Sequence, residues 1–349
     1  MNLFVPGRIC LFGEHTDWAG GYRHTEPGIA KGYTLICGTD QGIYARVAPH
    51  PTSLVVTSTM PDGHVRGPHI VPMEPDALLN EARRGRFWSY VAGAAYQILT
   101  HYDVKGLVVD NYRTNLPIKK GLSSSAAACV LAARAFNRIY DLGLTIREEM
   151  ELAYQGEITT PSRCGRMDQG CAFGNCPVLM TFDGEVLDTE ALHVGRDLQL
   201  VLVDLDAQKN TMKILEQLNR CYPQARNEID EGVQQLLGPI NARIVHQAVN
   251  ALRDGDAQRM GALMVDAQAL FDQYAIPACP DELTAPVLHR VLNHEPLKPH
   301  VWGGKGVGSQ GDGSAQFIAR SQDDQQKAVE IIERDLGMRS LKLTIRASG

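Results

Sequence analysis

Apolar and polar positions along this chain predict strands and helices in mixed order. Two-residue alternation or short apolar runs predict strands at residues 3–12, 33–47, 54–58, 106–112, 178–182, 198–204 and 314–319. Helical spacing predicts helices at 76–102 with a break near Gly85, and at 124–140, 146–157, 211–237, 240–252, 258–274 and 282–291. The proline-rich stretch 68–75 predicts a loop. Helices dominate the second half, and we place the boundary between the halves near Gln208.

Composition narrows the class of protein. With 349 residues, of which 44% are apolar, the chain can fill a substantial core. The net charge is −6 and no block of Lys and Arg occurs, so we expect no nucleic-acid partner. No apolar run approaches the roughly 18 residues of a membrane span, and residues 1–8 lack the pattern of a signal peptide. We therefore expect no membrane partner, a cytoplasmic location and reduced cysteines.

A polar segment follows the first predicted strand. Residues 14–22 (EHTDWAGGY) place carboxylates, an imidazole and a hydroxyl where a buried strand reaches the surface. Such groups can hydrogen-bond a polyol or a metal, and paired glycines allow close approach of the backbone to a ligand. A polar turn with local hydrogen bonds explains the same residues equally well. The segment alone leaves both interpretations open.

A second segment, residues 119–128 (KKGLSSSAAA), joins a glycine turn to serines and good helix formers. It predicts the start of a helix, where free backbone N–H groups and the helix dipole favour phosphate oxygens. The serine hydroxyls can hold a phosphate, contact magnesium, or only cap the helix. The segment does not match the common P-loop pattern, so a P-loop nucleotide triphosphatase is not indicated.

Two further segments carry candidate chemistry. Asp168, flanked by arginine, glutamine and glycine, is a candidate base or magnesium ligand, with a helix cap as the alternative. Glu157 by itself is typical of a solvated charge at a helix end. Residues 303–313 (GGKGVGSQGDG) predict a glycine-rich loop that approaches a ligand, with a plain flexible loop as the alternative. A strand rather than a helix follows that loop, which disfavours a nicotinamide dehydrogenase.

Taken together, these segments resemble the three motifs of the GHMP small-molecule kinases, and most closely those of the galactokinase-like sugar-1-kinase branch. Residues 6–21, 121–127 and 303–313 correspond to the first, second and third motifs, in order. The spacing of Glu157 and Asp168, and the pair Tyr222 and Arg226, are similar to that branch as well. The resemblance implies an α+β fold of two lobes. Residues 1–207 would form a ribosomal-protein S5-like domain and residues 208–349 a ferredoxin-like domain.

The resemblance also implies roles for particular residues, with ATP as co-substrate and Mg²⁺ as its metal. Asp168 and Arg8 would be catalytic. The substrate would be bound by Glu14, His15, Asp17, Gly20 and Gly21. ATP would be bound by Lys120, Gly121, Leu122, Ser123, Ser124, Ser125, Ala126, Gly304, Lys305 and Gly308. The metal would be held by Ser124, Ser125 and Glu157.

The expected reaction is ATP-dependent phosphorylation of a small sugar or related polyol, at its anomeric hydroxyl. A mevalonate-type kinase of isoprenoid acids and a non-catalytic sugar-binding regulator are the alternatives on the same fold. Two departures from the family pattern stand out. Residues 22–32 bring basic side chains that would either meet an acidic sugar such as a uronate or lie in solvent. In the third motif Gln310 and Asp312 replace glycines. The sequence fixes neither the sugar nor an oligomeric state.

Overall fold

We describe the protein from a computed structural model, which describes residues 1–116, 121–162 and 164–348. The strands are β1 (Asn2–Phe12), β2 (Gly32–His50), β3 (Ser53–Thr59), β4 (Val65–Pro72), β5 (Gly106–Thr114), β6 (Val178–Asp183), β7 (Val186–Ala191), β8 (Leu198–Asp204), β9 (Val301–Gly306), β10 (Ser314–Ala319) and β11 (Arg339–Ile345).

The α-helices are α1 (Thr16–Gly21), α2 (Pro75–Arg83), α3 (Ser89–His101), α4 (Ser124–Tyr140), α5 (Ile146–Ile158), α6 (Thr211–Asn219), α7 (Glu228–Gln235), α8 (Asn241–Asp254), α9 (Ala257–Ala275), α10 (Pro280–Leu283), α11 (Pro286–Leu292) and α12 (Gln322–Ile331). Tighter or wider helical turns cover Tyr22–His24, Asp168–Phe173, Leu236–Ile240, Ile276–Ala278, Glu295–Leu297 and Ile332–Leu336. The predicted α+β mixture of helices and sheets is confirmed. Among the described residues, no helix combines the length and the apolar character that crossing a membrane demands.

The chain divides into two compact units. The first comprises Met1–Arg8 and Gly38–Asn175, and the second Ile9–Cys37 and Cys176–Gly349. These bounds differ from the predicted domains 1–207 and 208–349, because segment 9–37 and strands β6 to β8 belong with the later part of the chain. The predicted domains remain a proposal about how the sequence is organised.

The first unit is a sheet covered by helices. Its strands follow the order β4-β3-β5-β2, in which β3 and β5 run parallel and the other pairs antiparallel. Helices α2 to α5 pack on one another. Helices α3 and α5 approach closely because both have a glycine at the contact: a Cβ on Gly93 would lie 2.2 Å from the carbonyl oxygen of Gly156. Leu78, Ile98 and Phe136 are fully buried in this unit.

The second unit contains two sheets. In one, residues 32–36 of β2 pair with β6, and β6 pairs with β7, all antiparallel. In the other, the antiparallel order is β11-β8-β10-β9. Phe317, Leu288 and Ile332 belong to a buried cluster beneath this second sheet. Another buried cluster joins α1, α6, α7 and α9 through residues such as Leu218 and Phe271.

Most predicted elements are confirmed, with four exceptions. Residues 68–75 are not all loop, because Pro68 lies in β4, an edge strand that does not need every N–H group. The predicted helix 211–237 is two helices, α6 and α7, separated by Pro223 and restarted by the Asn227 side chain, which accepts a hydrogen bond from the Asp230 N–H at 2.9 Å. The predicted helix 282–291 is likewise two, α10 and α11. The first part of the predicted loop 303–313 belongs to β9.

Candidate active site

The first cluster of candidate residues begins in β1. The backbone N–H of Arg8 donates to the carbonyl oxygen of Leu122 at 3.0 Å, which joins the strand to the glycine turn before α4. Gly7 permits this approach, since a Cβ there would lie 2.4 Å from Leu116 Cδ1 and 2.9 Å from the Leu122 oxygen. Strand β1 therefore places the Arg8 side chain next to the turn at residues 121–123, in the second motif.

Arg8, Ser123 and Asp168 form one hydrogen-bonded group in the first unit. Arg8 Nη2 donates to an Asp168 carboxylate oxygen and, at 2.7 Å, to Ser123 Oγ. Ser123 Oγ donates in turn to the same Asp168 oxygen at 3.0 Å. The Arg8 side chain is 4% exposed and that of Asp168 is 25% exposed. The carboxylate is thus held in place by two donors while part of it remains accessible.

The guanidinium of Arg8 also has hydrogen-bond donors that this group does not use. Within the described residues, its buried Nε and Nη1 atoms have no hydrogen-bond partner. A buried donor without a partner costs free energy, so a site of this kind suits an oxygen-rich anionic ligand.

Helix α4 begins at Ser124, as predicted. Ser123 occupies the N-cap position with φ of +53°, yet its side chain does not cap the helix. The hydroxyl is committed to Arg8 and Asp168 instead. Gly121, with φ of +76°, makes the preceding turn possible. The start of this 17-residue helix consequently keeps the features that attract phosphate: backbone donors and the positive end of the dipole. Lys120, also predicted to bind ATP, lies outside the described residues.

Glu157 lies at the end of α5 and is 1% exposed, which contradicts the alternative of a solvated helix-end charge. Its carboxylate accepts hydrogen bonds from Gln169 Nε2 at 2.7 Å and from Ser162 Oγ at 3.3 Å. Burial raises the pKa of Glu157, while the hydrogen bond from Ser125 is the largest of several that oppose the rise. Two of the predicted metal ligands, Glu157 and Ser125, are therefore in contact. Ser124, the third, is half-buried at the first position of α4.

The second cluster lies in the second unit, where β1 ends. Glu14 is buried, and one of its carboxylate oxygens accepts a hydrogen bond from the ammonium of Lys305 in β9. Lys305 Nζ also donates to the carbonyl oxygen of Gly306 at 2.8 Å. Lys305 is 2% exposed. A contact between Lys305 and ATP stays a prediction. In this structure the ammonium donates to Glu14, a residue predicted to bind the sugar.

His15 follows Glu14 in the left-handed region, with φ of +70°. Trp18 Nε1 donates to His15 Nδ1 at 3.2 Å, so the neutral ring carries its proton on Nε2. Complete burial lowers the pKa of His15 to about 4, the backbone at Ser309 opposes the shift, and the charges of Lys209 and Lys305 add to it. The imidazole is therefore neutral at physiological pH.

The third motif also has a defined geometry in this unit. Asp312 accepts a hydrogen bond from the Leu288 N–H at 2.8 Å, at the start of α11. Gln310 Nε2 donates to the Gly306 oxygen at 3.3 Å, and the Gln310 carbonyl accepts from Lys209 Nζ at 2.9 Å. Burial lowers the pKa of Lys209 to about 8, although Glu14 and Asp312 oppose the shift. Gln310 and Asp312, which replace glycines of the family pattern, thus each make a specific side-chain hydrogen bond.

The glycines that were predicted to contact a ligand differ in how closely they are packed. Their contacts with a ligand stay a prediction. A Cβ on Gly20 would lie 2.6 Å from the Gly32 nitrogen, and one on Gly304 would lie 2.4 Å from the Phe317 ring. Gly21 and Gly308 have open space around them, and Gly308 needs its φ of +69°. Asp17 is half-buried in the first turn of α1.

The basic insertion 22–32 is largely accounted for by local ion pairs. Arg23 Nε donates to Asp183 at 2.5 Å, and Lys31 Nζ lies 2.8 Å from the other oxygen of the same carboxylate. His24 is exposed. These contacts favour a structural role over recognition of an acidic sugar.

The chain is similar in sequence to known small-molecule kinases. The sequence model of the GHMP kinase N-terminal domain matches residues 89–175, which include α4, Glu157 and Asp168. The galactokinase of Thermococcus kodakarensis is 27% identical over 76% of each chain. The galactokinase of Thermotoga maritima is 26% identical over 79% of each chain.

Residues 89–175 thus match a GHMP kinase N-terminal domain, and about three quarters of the chain is similar to galactokinases. Solved structures with the same fold include Lactococcus lactis galactokinase in complex with galactose, with a TM-score of 0.73, 18% identity, and coverage of 100% of this chain and 94% of that one. Another is L. major mevalonate kinase with R-mevalonate, with a TM-score of 0.72, 20% identity, and coverage of 100% and 97%. The protein is an ATP-dependent small-molecule kinase.

The residues around Glu157 suit Mg²⁺, because a buried carboxylate and a hydroxyl are the hard oxygen donors that this ion takes alongside substrate phosphates. Sequence reasoning missed three supporting residues: Ser162 and Gln169 beside Glu157, and Lys209 beside the third motif. Gln169 adjoins Asp168 in sequence, and that proximity was an available signal. Nothing local to Ser162 or Lys209 marks either residue.

Proposed function

We propose that this kinase phosphorylates a small sugar at its anomeric hydroxyl. The observation that carries the proposal is Glu14, a buried and charge-paired carboxylate at the end of β1. A carboxylate can accept hydrogen bonds from sugar hydroxyls, whereas an isoprenoid acid offers few hydroxyls and a negative charge that Glu14 would repel. The curated relatives that match over about three quarters of the chain are galactokinases, which supports the same choice.

The first unit supplies the groups for phosphoryl transfer in this proposal. Asp168 accepts the hydrogen bond of the attacking hydroxyl and orients its oxygen, with deprotonation completed as transfer proceeds. Arg8 keeps that carboxylate in position and stabilises the negative oxygens of the moving phosphoryl group through its unpartnered donors. Ser123 fixes the geometry of both, because its hydroxyl bonds to each.

The turn 121–123 and the first residues of α4, up to Ala126, hold the triphosphate of ATP through backbone N–H groups. Glu157, Ser125 and the preceding residue Ser124 would hold Mg²⁺. When bound, the ion neutralises charge on the phosphate oxygens. Gly304 and Gly308 remain proposed contacts of ATP in the third motif.

The second unit supplies recognition of the sugar. Glu14 accepts hydroxyl hydrogen bonds, and neutral His15 donates from Nε2 because Trp18 already occupies Nδ1. Asp17 is a further acceptor, and Gly20 and Gly21 are proposed to lie against the bound sugar. A site that matches hydroxyl groups one by one rejects analogues that lack them, since its buried polar groups would be left unpaired.

A coupled assay of ADP release, with Mg²⁺ and ATP and a panel of free hexoses, pentoses, uronates and mevalonate, tests this function. We expect turnover with one or a few neutral sugars, and a product whose phosphate is at C1 by ³¹P NMR. Turnover with mevalonate alone would refute the sugar assignment and support the isoprenoid-acid alternative. Saturable sugar binding in calorimetry without ADP release would indicate a regulator.

A further inference from the structure

Lys305 is held rigidly inside the second unit. It lies in β9, opposite Gln316 of β10, and the next residue, Gly306, donates its N–H to Gln268 Oε1 at 2.7 Å. Gln268 belongs to α9 and is itself buried. The backbone that carries the lysine is therefore fixed by a strand on one side and a helix on the other.

The ammonium of Lys305 is committed to two acceptors, Glu14 and the Gly306 carbonyl oxygen. Only 2% of the residue is exposed, so a phosphate could reach the ammonium only after these contacts broke. A buried carboxylate such as Glu14 needs a compensating charge and donor, because desolvation penalises an unpaired ion heavily. Lys305 provides both.

Other titratable side chains near Glu14 also contribute to the electrostatics of this region. Lys209 contributes a second positive charge, and Asp312 offsets it. His15 is neutral above about pH 4 and adds no charge at physiological pH. Among the described members of this group, it is Lys305 that donates a hydrogen bond to Glu14.

A small cavity borders the pair. It measures about 30 Å³ and is lined by Glu14, Lys305 and Gln310 together with apolar side chains that include Phe12, Ile240 and Phe271. That volume accommodates one group the size of a water or a hydroxyl. The polar side of the cavity is thus formed by the carboxylate and its counter-ion.

We infer that Lys305 is a positioning residue for substrate recognition: its ammonium pairs with the Glu14 carboxylate and orients it as the acceptor for a sugar hydroxyl. The inference rests on the proposed function, and it separates this lysine from the ATP contacts that the family resemblance implies for the third motif. The lysine acts through Glu14, without contact to the reacting atoms.

A double-mutant cycle tests this inference. Four proteins are compared by steady-state kinetics for sugar and for ATP: wild type, Lys305→Met, Glu14→Gln, and the double variant. Lys305→Met should raise the KM for the sugar about 10- to 100-fold, with kcat within about 3-fold and the KM for ATP within about 2-fold. In the Glu14→Gln background the same change should leave the sugar KM nearly unaltered, because residues that act through one another are not additive.

Lys298→Met is the matched control, since Lys298 also pairs with a carboxylate, Glu295 at 2.5 Å, but is 57% exposed. It should change neither KM. If either single variant does not fold, the double variant, which buries no unpaired charge, is compared with the wild type. In that comparison too, a raised sugar KM with an unchanged ATP KM supports the inference.

Two results overturn it. One is a raised KM for ATP with an unchanged sugar KM in Lys305→Met, which would make Lys305 an ATP ligand. The other is a full effect of Lys305→Met in the Glu14→Gln background. Failure of the proposed function is a separate outcome: if wild type phosphorylates only mevalonate, the cycle run with mevalonate still reports whether Lys305 acts through Glu14.

Discussion

The sharpest test of the proposed chemistry is Asp168→Asn. The change keeps the size of the side chain but removes the charge that faces Arg8, so the aspartate oxygen that accepts from Arg8 and Ser123 becomes a neutral amide oxygen. Removing one partner of a buried ion pair costs about 3–5 kcal/mol. Because the Asp168 side chain is 25% exposed, we expect a loss of folding stability near the lower end, about 3 kcal/mol.

The effect on the reaction should be separate from that on stability. A positioned general base contributes about 10²–10⁴-fold to the rate, which corresponds to about 3–5 kcal/mol at 1.36 kcal/mol per tenfold. We therefore expect kcat to fall by about that factor in folded Asp168→Asn, while the affinity for ATP measured by calorimetry changes little.

Urea unfolding and single-turnover phosphoryl transfer, measured on the same preparation, distinguish the two effects. Asp110→Asn is the matched control, because Asp110 is a 41% exposed carboxylate that forms only a long ion pair, 3.9 Å from Arg46 Nη1, among the described residues. Its activity and stability should match the wild type. A folded Asp168→Asn variant that keeps the wild-type kcat would remove Asp168 from the mechanism.

Three further predictions concern buried groups. Glu149→Gln should lower the free energy of unfolding by about 3–5 kcal/mol, because Glu149 is 2% exposed and accepts from Arg134 Nε at 2.8 Å; equal stability in chemical denaturation would contradict this. Glu157→Gln should raise the Mg²⁺ concentration needed for half-maximal rate. In the wild type this concentration should depend on pH, because burial raises the pKa of Glu157 and protons compete with the metal, and the variant should lose that pH dependence. His15, with a folded pKa of about 4 against an unfolded value of 6.5, binds fewer protons when folded between those pH values. Stability should therefore fall by about 3 kcal/mol as pH drops from 6.5 to 4, and His15→Gln should flatten that fall in urea titrations.

Much of the local structure follows from short-range patterns. Helix α4 begins and ends where residues 124–140 predict it, since a glycine turn precedes a run of strong helix formers. The break in the predicted helix 76–102 occurs around Gly85, whose φ of +62° does not continue a helix. Strand β8 also has its predicted bounds. In each case the decisive signal lies within the element itself.

The errors arise where neighbouring elements outweigh local preference. Pro68 predicts a loop but lies in a strand, because β4 is at the edge of its sheet, which only the pairing of β3, β4 and β5 determines. Strand β7 (Val186–Ala191) has no clear periodicity of its own and is formed by pairing with β6. The buried carboxylate of Glu157 likewise accepts hydrogen bonds from Ser162 and Gln169, which lie outside its helix.

The candidate site shows the same division. Residue types and spacing made Asp168, Glu14 and the turn at Gly121 candidates beside structural alternatives, and the family resemblance supplied their predicted roles. Tertiary structure decided the partners: Ser123 bonds to Asp168 instead of capping its helix, and Lys305 meets Glu14, 291 positions away. The physical reason is range, since a sequence pattern reports on contacts within a few residues, whereas ion pairs between distant strands depend on how the sheets are assembled.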